Sequence, residues 1–177
     1  MSLLKTVNVK EAQGKVKEVY GEIEGAVGMV PNILQLLSVN PDILEAQWNK
    51  VKYISSMEED SKKLISIMRY LMSVRNKCTY CSALISMMIN RNYGITQEEL
   101  ESIQNDLSKA PLSNSNKELL KFTLKAVENP EEIEAEDVKK LEDLGVKQTQ
   151  IFDTVQEAVH MYSMNMLSRI FKVERDF

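Results

Sequence analysis

Apolar residues recur at helical spacing along this chain from end to end, whereas the alternating apolar and polar pattern of strands is almost absent. The first amphipathic segment runs from about Glu11 to Val27 and stops near Gly28. A later helix is expected to open at Asn40-Pro41, where asparagine supplies the cap and proline takes the first helical position. The pattern predicts an all-α protein.

The middle of the chain carries a strongly apolar helix followed by a short break. Ser56 to Glu59 has the form of a capping box, and Leu64 to Met72 is apolar around much of a helix circumference, which predicts deep burial. Arg75-Asn76-Lys77 lacks apolar periodicity and is typical of a turn. The next helix is expected from Cys78 to Asn92, so Cys78 lies at a helix N-terminus.

Helix signals continue to the end of the chain. Thr96 to Glu99 and Ser115 to Glu118 have capping-box form, a short acidic helix is expected near Glu134 to Leu144, and a long final helix from about Thr149 to Phe171. No repeat or internal boundary interrupts this series. We therefore expect a single domain over residues 1–177, a length that suffices for one hydrophobic core.

Charge and hydropathy narrow the classes of partner. The net charge is −4 and no stripe of Lys and Arg is present, which argues against a nucleic-acid partner. No apolar run approaches the roughly 18 residues of a membrane span. Charges stand in the first residues where a signal peptide has its apolar core, so a cytoplasmic protein without a membrane partner is expected.

The candidate chemistry is a pair of cysteines. Cys78 and Cys81 are the only two in the chain, and their spacing puts both sulfurs on one helical face. A helix N-terminus stabilises a thiolate there, as would Arg75 and Lys77 if they point inward. One thiol can then attack an oxidant to give a sulfenic acid, and the other can condense with it to a disulfide. This chemistry needs no cofactor.

Two other interpretations of the pair stay open. The sulfurs can be small buried hydrophobic groups, or a bridge without turnover. A structural zinc site needs four ligands, and with only His160 beyond the two cysteines the set would need carboxylates or a second subunit. We therefore expect no metal. Redox activity is the preferred interpretation, because a close pair in a reducing compartment is more often reactive than structural.

Several segments resemble those of a known family. They are Gly28-Met29-Val30-Pro31-Asn32, the Asn40-Pro41 helix with Trp48, the stretch Ser73 to Cys81 with its Cys-Thr-Tyr-Cys motif, and the last helix with Asn165 before Arg169. In this order and spacing, the chain resembles the alkylhydroperoxidase AhpD-like, or carboxymuconolactone decarboxylase, family.

The resemblance implies an AhpD-like fold of roughly eight helices with the Cys-x-x-Cys motif at the start of a central helix. It implies assembly as a homotrimer or homohexamer, and the apolar faces of Leu64 to Met72 also suggest burial against other subunits. The implied activity is that of a thiol peroxidase of the peroxiredoxin type. Cys81 would attack a small hydroperoxide or disulfide, Cys78 would resolve the product, and a thiol reductant, with a lipoyl carrier protein as candidate, would restore the pair.

The chain also departs from the family motif. Ile85 stands where the family has a histidine four residues after the second cysteine, and Ser66 stands where it has a glutamate twelve residues before the first. This proton relay is therefore degenerate, and we expect weakened activity. Tyr80, His160 and Glu157 are candidate substitutes. The alternative hypothesis is a non-catalytic redox-sensing or scaffold homologue, while lactone decarboxylation is disfavoured by the Cys pair.

Overall fold

A computed structural model describes residues 2–176 of the chain. Within them the regular structure is helical throughout, with nine α-helices, three short 3-10 turns and no strand. The α-helices are α1 (Gly14–Val27), α2 (Asn32–Leu37), α3 (Pro41–Ser55), α4 (Glu59–Arg75), α5 (Thr79–Tyr93), α6 (Gln97–Asn105), α7 (Asn114–Glu128), α8 (Ala135–Asp143) and α9 (Gln148–Ile170). The prediction of an all-α fold is confirmed. None of the described helices is both long and apolar enough to cross a bilayer.

The chain forms two compact units. One contains the residues up to Met57 and those from Leu167 onward, and the other contains Glu58–Met166. The single domain expected over residues 1–177 stays a prediction, since compactness alone does not decide which part folds independently. Both cysteines and all the candidate relay residues lie in the second unit, so the site is described within that unit.

In the first unit α1 packs against α3. Trp48 of α3 is buried, and its indole N–H donates to Glu22 Oε2 of α1 at 2.7 Å, an oxygen that also accepts from Lys52 Nζ at 2.9 Å. Helix α1 ends at Gly28, whose φ of 87° is a left-handed conformation that glycine adopts without steric cost. The predicted stop at Gly28 is therefore confirmed.

Two of the predicted capping boxes are wrong. Ser56 ends α3 and its hydroxyl donates to the Tyr53 carbonyl at 2.6 Å, so it is not available to α4, which begins after Glu58 without a side-chain cap. Helix α7 is capped by Ser113, which accepts from Asn116 N, two residues before the predicted Ser115. In both cases a competing local hydrogen bond decided where the helix begins. The predicted box at Thr96 is present.

Helix α4 is the structural centre of the second unit, where it packs against α5 and α7. Its fully buried side chains are Leu64, Ile65, Ile67, Met68 and Leu71. Asn116 of α7 donates to Asp60 at 2.7 Å near the start of both helices, and Arg75 pairs with Glu128 near the end of both. Helices α4 and α7 therefore run parallel, and the chain leaves the core helix α4 directly into the Cys motif.

Candidate active site

The turn between α4 and α5 fixes the position of the first cysteine. Cys78 N–H donates to the Ser73 carbonyl and Lys77 N–H donates to the Val74 carbonyl, each at 2.9 Å. This is the Schellman arrangement that closes a helix, and Lys77 takes its left-handed position with a φ of 54°. Because the turn is closed by backbone bonds, it presents Cys78 as the N-cap residue of α5.

The two sulfurs are in direct contact at the start of α5. Cys78 Sγ accepts from the backbone N–H of Cys81 at 3.3 Å, as an N-cap side chain does, and it donates to Cys81 Sγ at 2.6 Å. The two are present as thiols, not as a disulfide, and are only 1% and 3% exposed. The predicted pairing on one helical face is therefore present, in a setting shielded from water.

This arrangement assigns different electrostatic surroundings to the two sulfurs. A negative charge on Cys81 Sγ is stabilised by the Cys78 thiol that donates to it and by the positive end of the α5 dipole. A charge on Cys78 Sγ is stabilised by the Cys81 backbone N–H. Burial opposes both charges because it removes water from the sulfurs. Each sulfur thus has a donor suited to the thiolate form.

The two basic residues before the motif have other surroundings than the sulfurs. Arg75 forms an ion pair with Glu128 of α7, and Lys77 is exposed. The Arg75 guanidinium is therefore engaged by the carboxylate of Glu128. The helix terminus and the hydrogen bonds of the pair itself are available to stabilise a thiolate.

A buried polar layer lies behind the Cys78 backbone. The Ser73 hydroxyl donates its one hydrogen to the Arg69 carbonyl at 2.7 Å, and Asn165 Oδ1 of α9 lies 3.2 Å away as a second, more distant acceptor. Ser73 and Asn165 are both fully buried, and Asn165 Nδ2 has no hydrogen-bond partner among the described residues. Because the Ser73 carbonyl also accepts from Cys78, α9 is connected to the Cys turn through a single residue of α4.

The family relay positions contain no proton-transfer group. Ile85 is half-buried and aliphatic, and the half-buried Ser66 donates its hydroxyl to the Lys62 carbonyl of its own helix at 2.8 Å. A serine committed to its own helix is a poor general base.

The three candidate substitutes occupy different surroundings. Tyr80 is buried on α5 between the two cysteines in sequence, and His160 is half-buried on α9. Glu157 is 2% exposed, and its Oε1 accepts two hydrogen bonds from the Arg69 guanidinium, at 2.9 and 2.6 Å. The structure therefore brings Glu157 to Arg69 and brings the two cysteines to each other. The roles of Tyr80, His160 and Glu157 in proton transfer stay predictions.

Sequence reasoning missed Arg69 and Ser73 as parts of this region. Arg69 lies within the strongly apolar stretch of α4 and Ser73 directly follows it, where a charged residue and a buried hydroxyl are unusual and must find partners. A polar residue at an apolar position of the helix pattern is the feature of the sequence that could have identified both residues. The described residues contain no group of three or more His, Cys, Asp and Glu side chains suited to hold a metal ion.

Comparison with known proteins supports the fold. No family model matches the chain, and no curated protein matches it. Among solved structures, the chain is similar to an alkylhydroperoxidase AhpD core protein, an uncharacterised peroxidase-related protein from Ralstonia eutropha JMP134, with 17% identity, a TM-score of 0.82 and coverage of 99% of this chain and 92% of that one.

Two further solved structures share this architecture. An uncharacterised peroxidase-related protein from Silicibacter sp. TM1040 has 20% identity and a TM-score of 0.81, with coverage of 98% of this chain and 91% of that one. The debrominase Bmp8 in its apo form has 15% identity and a TM-score of 0.72, with coverage of 97% and 90%. The chain therefore has the AhpD-like fold, with a close Cys pair at the start of α5.

Proposed function

We propose that this protein is a thiol-dependent peroxidase-like oxidoreductase in which Cys81 attacks a small hydroperoxide and Cys78 resolves the product. The observation that carries the proposal is the contact between the two buried sulfurs, 2.6 Å apart at the N-terminus of α5. The AhpD-like fold, which the chain has in common with peroxidase-related proteins, supports it.

In the first step the Cys81 thiolate attacks the distal oxygen of the hydroperoxide and the O–O bond breaks. The sulfur becomes a sulfenic acid, and the leaving alkoxide needs a proton. With Ile85 in place of the family histidine, we propose that the Cys78 thiol supplies that proton, since it already donates toward Cys81 Sγ. The alcohol leaves, and Cys78 is left as a thiolate that the Cys81 backbone N–H stabilises.

In the second step the Cys78 thiolate attacks the Cys81 sulfenic sulfur. An S–S bond forms, the S–O bond breaks, and the hydroxide that leaves takes a proton from solvent to become water. The peroxide has then been reduced by two electrons from the two thiols. An external dithiol then returns two electrons: one of its thiols attacks the disulfide to form a mixed disulfide, and its second thiol displaces the protein thiol. A reduced lipoyl group on a carrier protein is suited to this role because its two thiols close into a cyclic disulfide.

Slow turnover is part of the proposal. The lack of a dedicated acid and base costs on the order of 10²–10⁴ in rate. The 1% and 3% exposure of Cys78 and Cys81 also requires covering side chains to move before an oxidant enters, which favours small hydroperoxides. The proposal includes a cytoplasmic setting, where thiols are kept reduced, and assembly as a homotrimer or homohexamer.

A steady-state assay of peroxide consumption with excess dithiothreitol tests the proposal. Wild type should consume many equivalents of peroxide, Cys81→Ser none above background, and Cys78→Ser should turn over more slowly than wild type, because dithiothreitol must then reduce the Cys81 sulfenic acid directly. Thr79→Ser, an exposed change on the same helical turn, is the matched control and should retain the wild-type rate. Equal rates in wild type and Cys81→Ser would refute the proposal.

A second candidate is a redox sensor or scaffold that keeps the pair without turnover. The observation that favours it is the combination of buried sulfurs with Ser66 bonded to its own helix. It predicts one slow oxidation to a disulfide, accompanied by a shift in melting temperature, and no sustained peroxide loss. Multiple turnovers in the assay above would exclude it.

A further inference from the structure

An apolar depression lies in the second unit between α7, α8 and α9. Its volume is about 440 Å³, and its walls are apolar except for one glutamine. The lining side chains include Phe122 of α7, Ile133, Val138 of α8, and Phe152 and Val155 of α9. Phe152 is 70% exposed, although an aromatic ring of this size is usually covered. A depression with such walls is typical of a surface that receives an apolar group.

The apolar surface continues along α9 beyond the depression. Val159 is 56% exposed and Tyr162 is 48% exposed, and they follow Phe152 and Val155 at spacings of three or four residues. These positions share one face of the helix over about 15 Å, since each residue adds about 1.5 Å. The sequence contains no Lys or Arg from residue 148 to residue 168. A straight apolar strip of this length suits a second helix that lies alongside it.

One wall of the depression is strongly acidic. Residues 128–137 contain six acidic residues and no Lys or Arg, and Pro130 and Ile133 of this segment line the depression. Glu131 and Glu132 lie between these two residues in the chain and are exposed. Within residues 2–176 neither carboxylate forms an ion pair. The apolar depression is therefore bordered by negative charge.

A lysine of α7 beside this wall does not offset that charge. Lys125 Nζ donates to the Glu132 carbonyl at 3.0 Å and to Asp137 Oδ2 at 3.2 Å. Its charge is thus engaged by Asp137, and the carboxylates of Glu131 and Glu132 keep theirs. Because apolar walls screen charge less than water does, an acidic border of this kind attracts a cationic partner.

We propose that the depression and the exposed face of α9 form a docking groove for an amphipathic helix of another protein, one whose apolar face is flanked by Lys and Arg. Large apolar side chains of that helix enter the depression beside Phe152, and its basic residues meet Glu131 and Glu132. A second copy of this chain suits the groove poorly, because it carries a net charge of −4 and would meet the acidic wall with like charge. The proposal is independent of the redox chemistry at Cys78 and Cys81.

Binding of two synthetic helical peptides to the full chain tests the docking groove. Each peptide has about 18 residues with leucine at positions i, i+3, i+4 and i+7, and the other positions are lysine in one peptide and glutamate in the other. Fluorescence anisotropy of the labelled peptides measures their affinity. The lysine peptide should bind, with an affinity that falls as salt is raised, and the glutamate peptide should not. No binding of the lysine peptide, or equal binding of both, would overturn the proposal.

Charge reversal shows whether the acidic wall is where the lysine peptide binds. Glu131→Lys with Glu132→Lys should weaken its binding by about tenfold or more. Glu18→Lys with Glu24→Lys makes the same change in net charge at exposed positions of α1 and should alter the affinity by less than about twofold. An equal loss in the two double variants would mean a general attraction to an acidic protein and would contradict a site at the groove.

A second pair of variants tests the apolar part of the groove. Phe152→Ser should weaken binding of the lysine peptide on the order of tenfold. Ile43→Ser removes an aliphatic side chain that is 53% exposed on α3 and should leave the affinity unchanged, and circular dichroism checks that each variant is folded. An unchanged affinity for folded Phe152→Ser would refute the proposal. So would light scattering that shows an assembly of wild type which Phe152→Ser breaks into single chains, because a second copy would then occupy the groove.

Discussion

Arg69 donates two hydrogen bonds to one carboxylate oxygen of Glu157, so that α4 and α9 are joined by a charge pair in which the acid is only 2% exposed. The second connection between these helices, from Ser73 to Asn165, lies further along both of them. Helices α4 and α9 therefore run parallel in the second unit. The glutamate considered as a substitute proton carrier is engaged in holding α9 to the core helix.

Removing the Glu157 carboxylate should show whether this residue mainly holds α9 to α4 or mainly carries protons. Glu157→Gln leaves Arg69 with a neutral partner, and we expect unfolding in urea to become easier by about 3 kcal/mol, the lower end for a broken buried pair, because Arg69 retains some contact with water. The rate of peroxide consumption per folded molecule should change less than about tenfold, since the relay effect of an essential base is on the order of 10²–10⁴.

The double variant Arg69→Met with Glu157→Leu is the matched control. It removes both charges together and should recover most of the lost stability, since no uncompensated charge remains buried. A loss of turnover by Glu157→Gln at unchanged stability would instead identify Glu157 as the proton carrier.

Lys77 holds a left-handed conformation that glycine adopts at lower cost. Lys77→Gly should stabilise the protein by about 1 kcal/mol, because a non-glycine residue in this region carries about that much strain and the hydrogen bonds of the turn are made by the backbone. Thermal unfolding measures the change. Lys77→Ala keeps a β-carbon and should not produce the gain, so an equal effect of both substitutions would contradict the explanation.

Restoring the relay side chains should raise activity. The variant Ser66→Glu with Ile85→His places an acid and an imidazole at the two positions that correspond to the family motif, both half-buried on neighbouring helices α4 and α5. We expect kcat/KM for a small hydroperoxide to rise about tenfold to a hundredfold, short of the full effect of an optimised relay. Ser66→Gln with Ile85→Asn is the polar control without a titratable group, and an equal gain there would argue against proton transfer.

The single tryptophan should report the ionisation of Glu22. Hydrogen bonds from Lys52 and then from Trp48 lower the pKa of the Glu22 carboxyl below its ordinary value of 4.5. Its contribution to stability is therefore complete above pH 4.5 and is lost as the pH falls through the lowered value. We expect Trp48 fluorescence to change below pH 4.5. In Glu22→Gln this transition should be absent, and its persistence would assign it to another group.

Local sequence chemistry accounts for what was predictable. The placement of Cys78 as a helix N-cap follows from the loss of apolar periodicity at Arg75-Asn76-Lys77 and the renewed pattern after it, both confined to a few residues. The capping boxes at Ser56 and Ser115 failed for a related reason. The Ser56 hydroxyl had a nearer carbonyl to bond, that of Tyr53, and α7 had a second serine, Ser113, that could cap it. A sequence pattern of one helical turn does not show which of these hydrogen bonds is formed.

The buried polar contacts behind the cysteines could not be predicted from local sequence patterns. Arg69 meets Glu157 and Ser73 meets Asn165 across 88 and 92 residues of sequence, which depends on how α4 and α9 pack in three dimensions. A polar residue within an apolar helix face signals that a partner exists, but the sequence does not say which residue that partner is.

A titration of thiols against peroxide in a single turnover tests the central claim most directly. With one equivalent of a small hydroperoxide and no reductant, wild type should lose two thiols for each peroxide consumed and form a disulfide between Cys78 and Cys81, identified by peptide mapping. Cys78→Ser should instead accumulate a sulfenic acid at Cys81, trapped with a carbon nucleophile. Unchanged thiols in wild type, or a sulfenic acid at Cys78 in Cys81→Ser formed as fast as the wild-type reaction, would contradict the assigned roles.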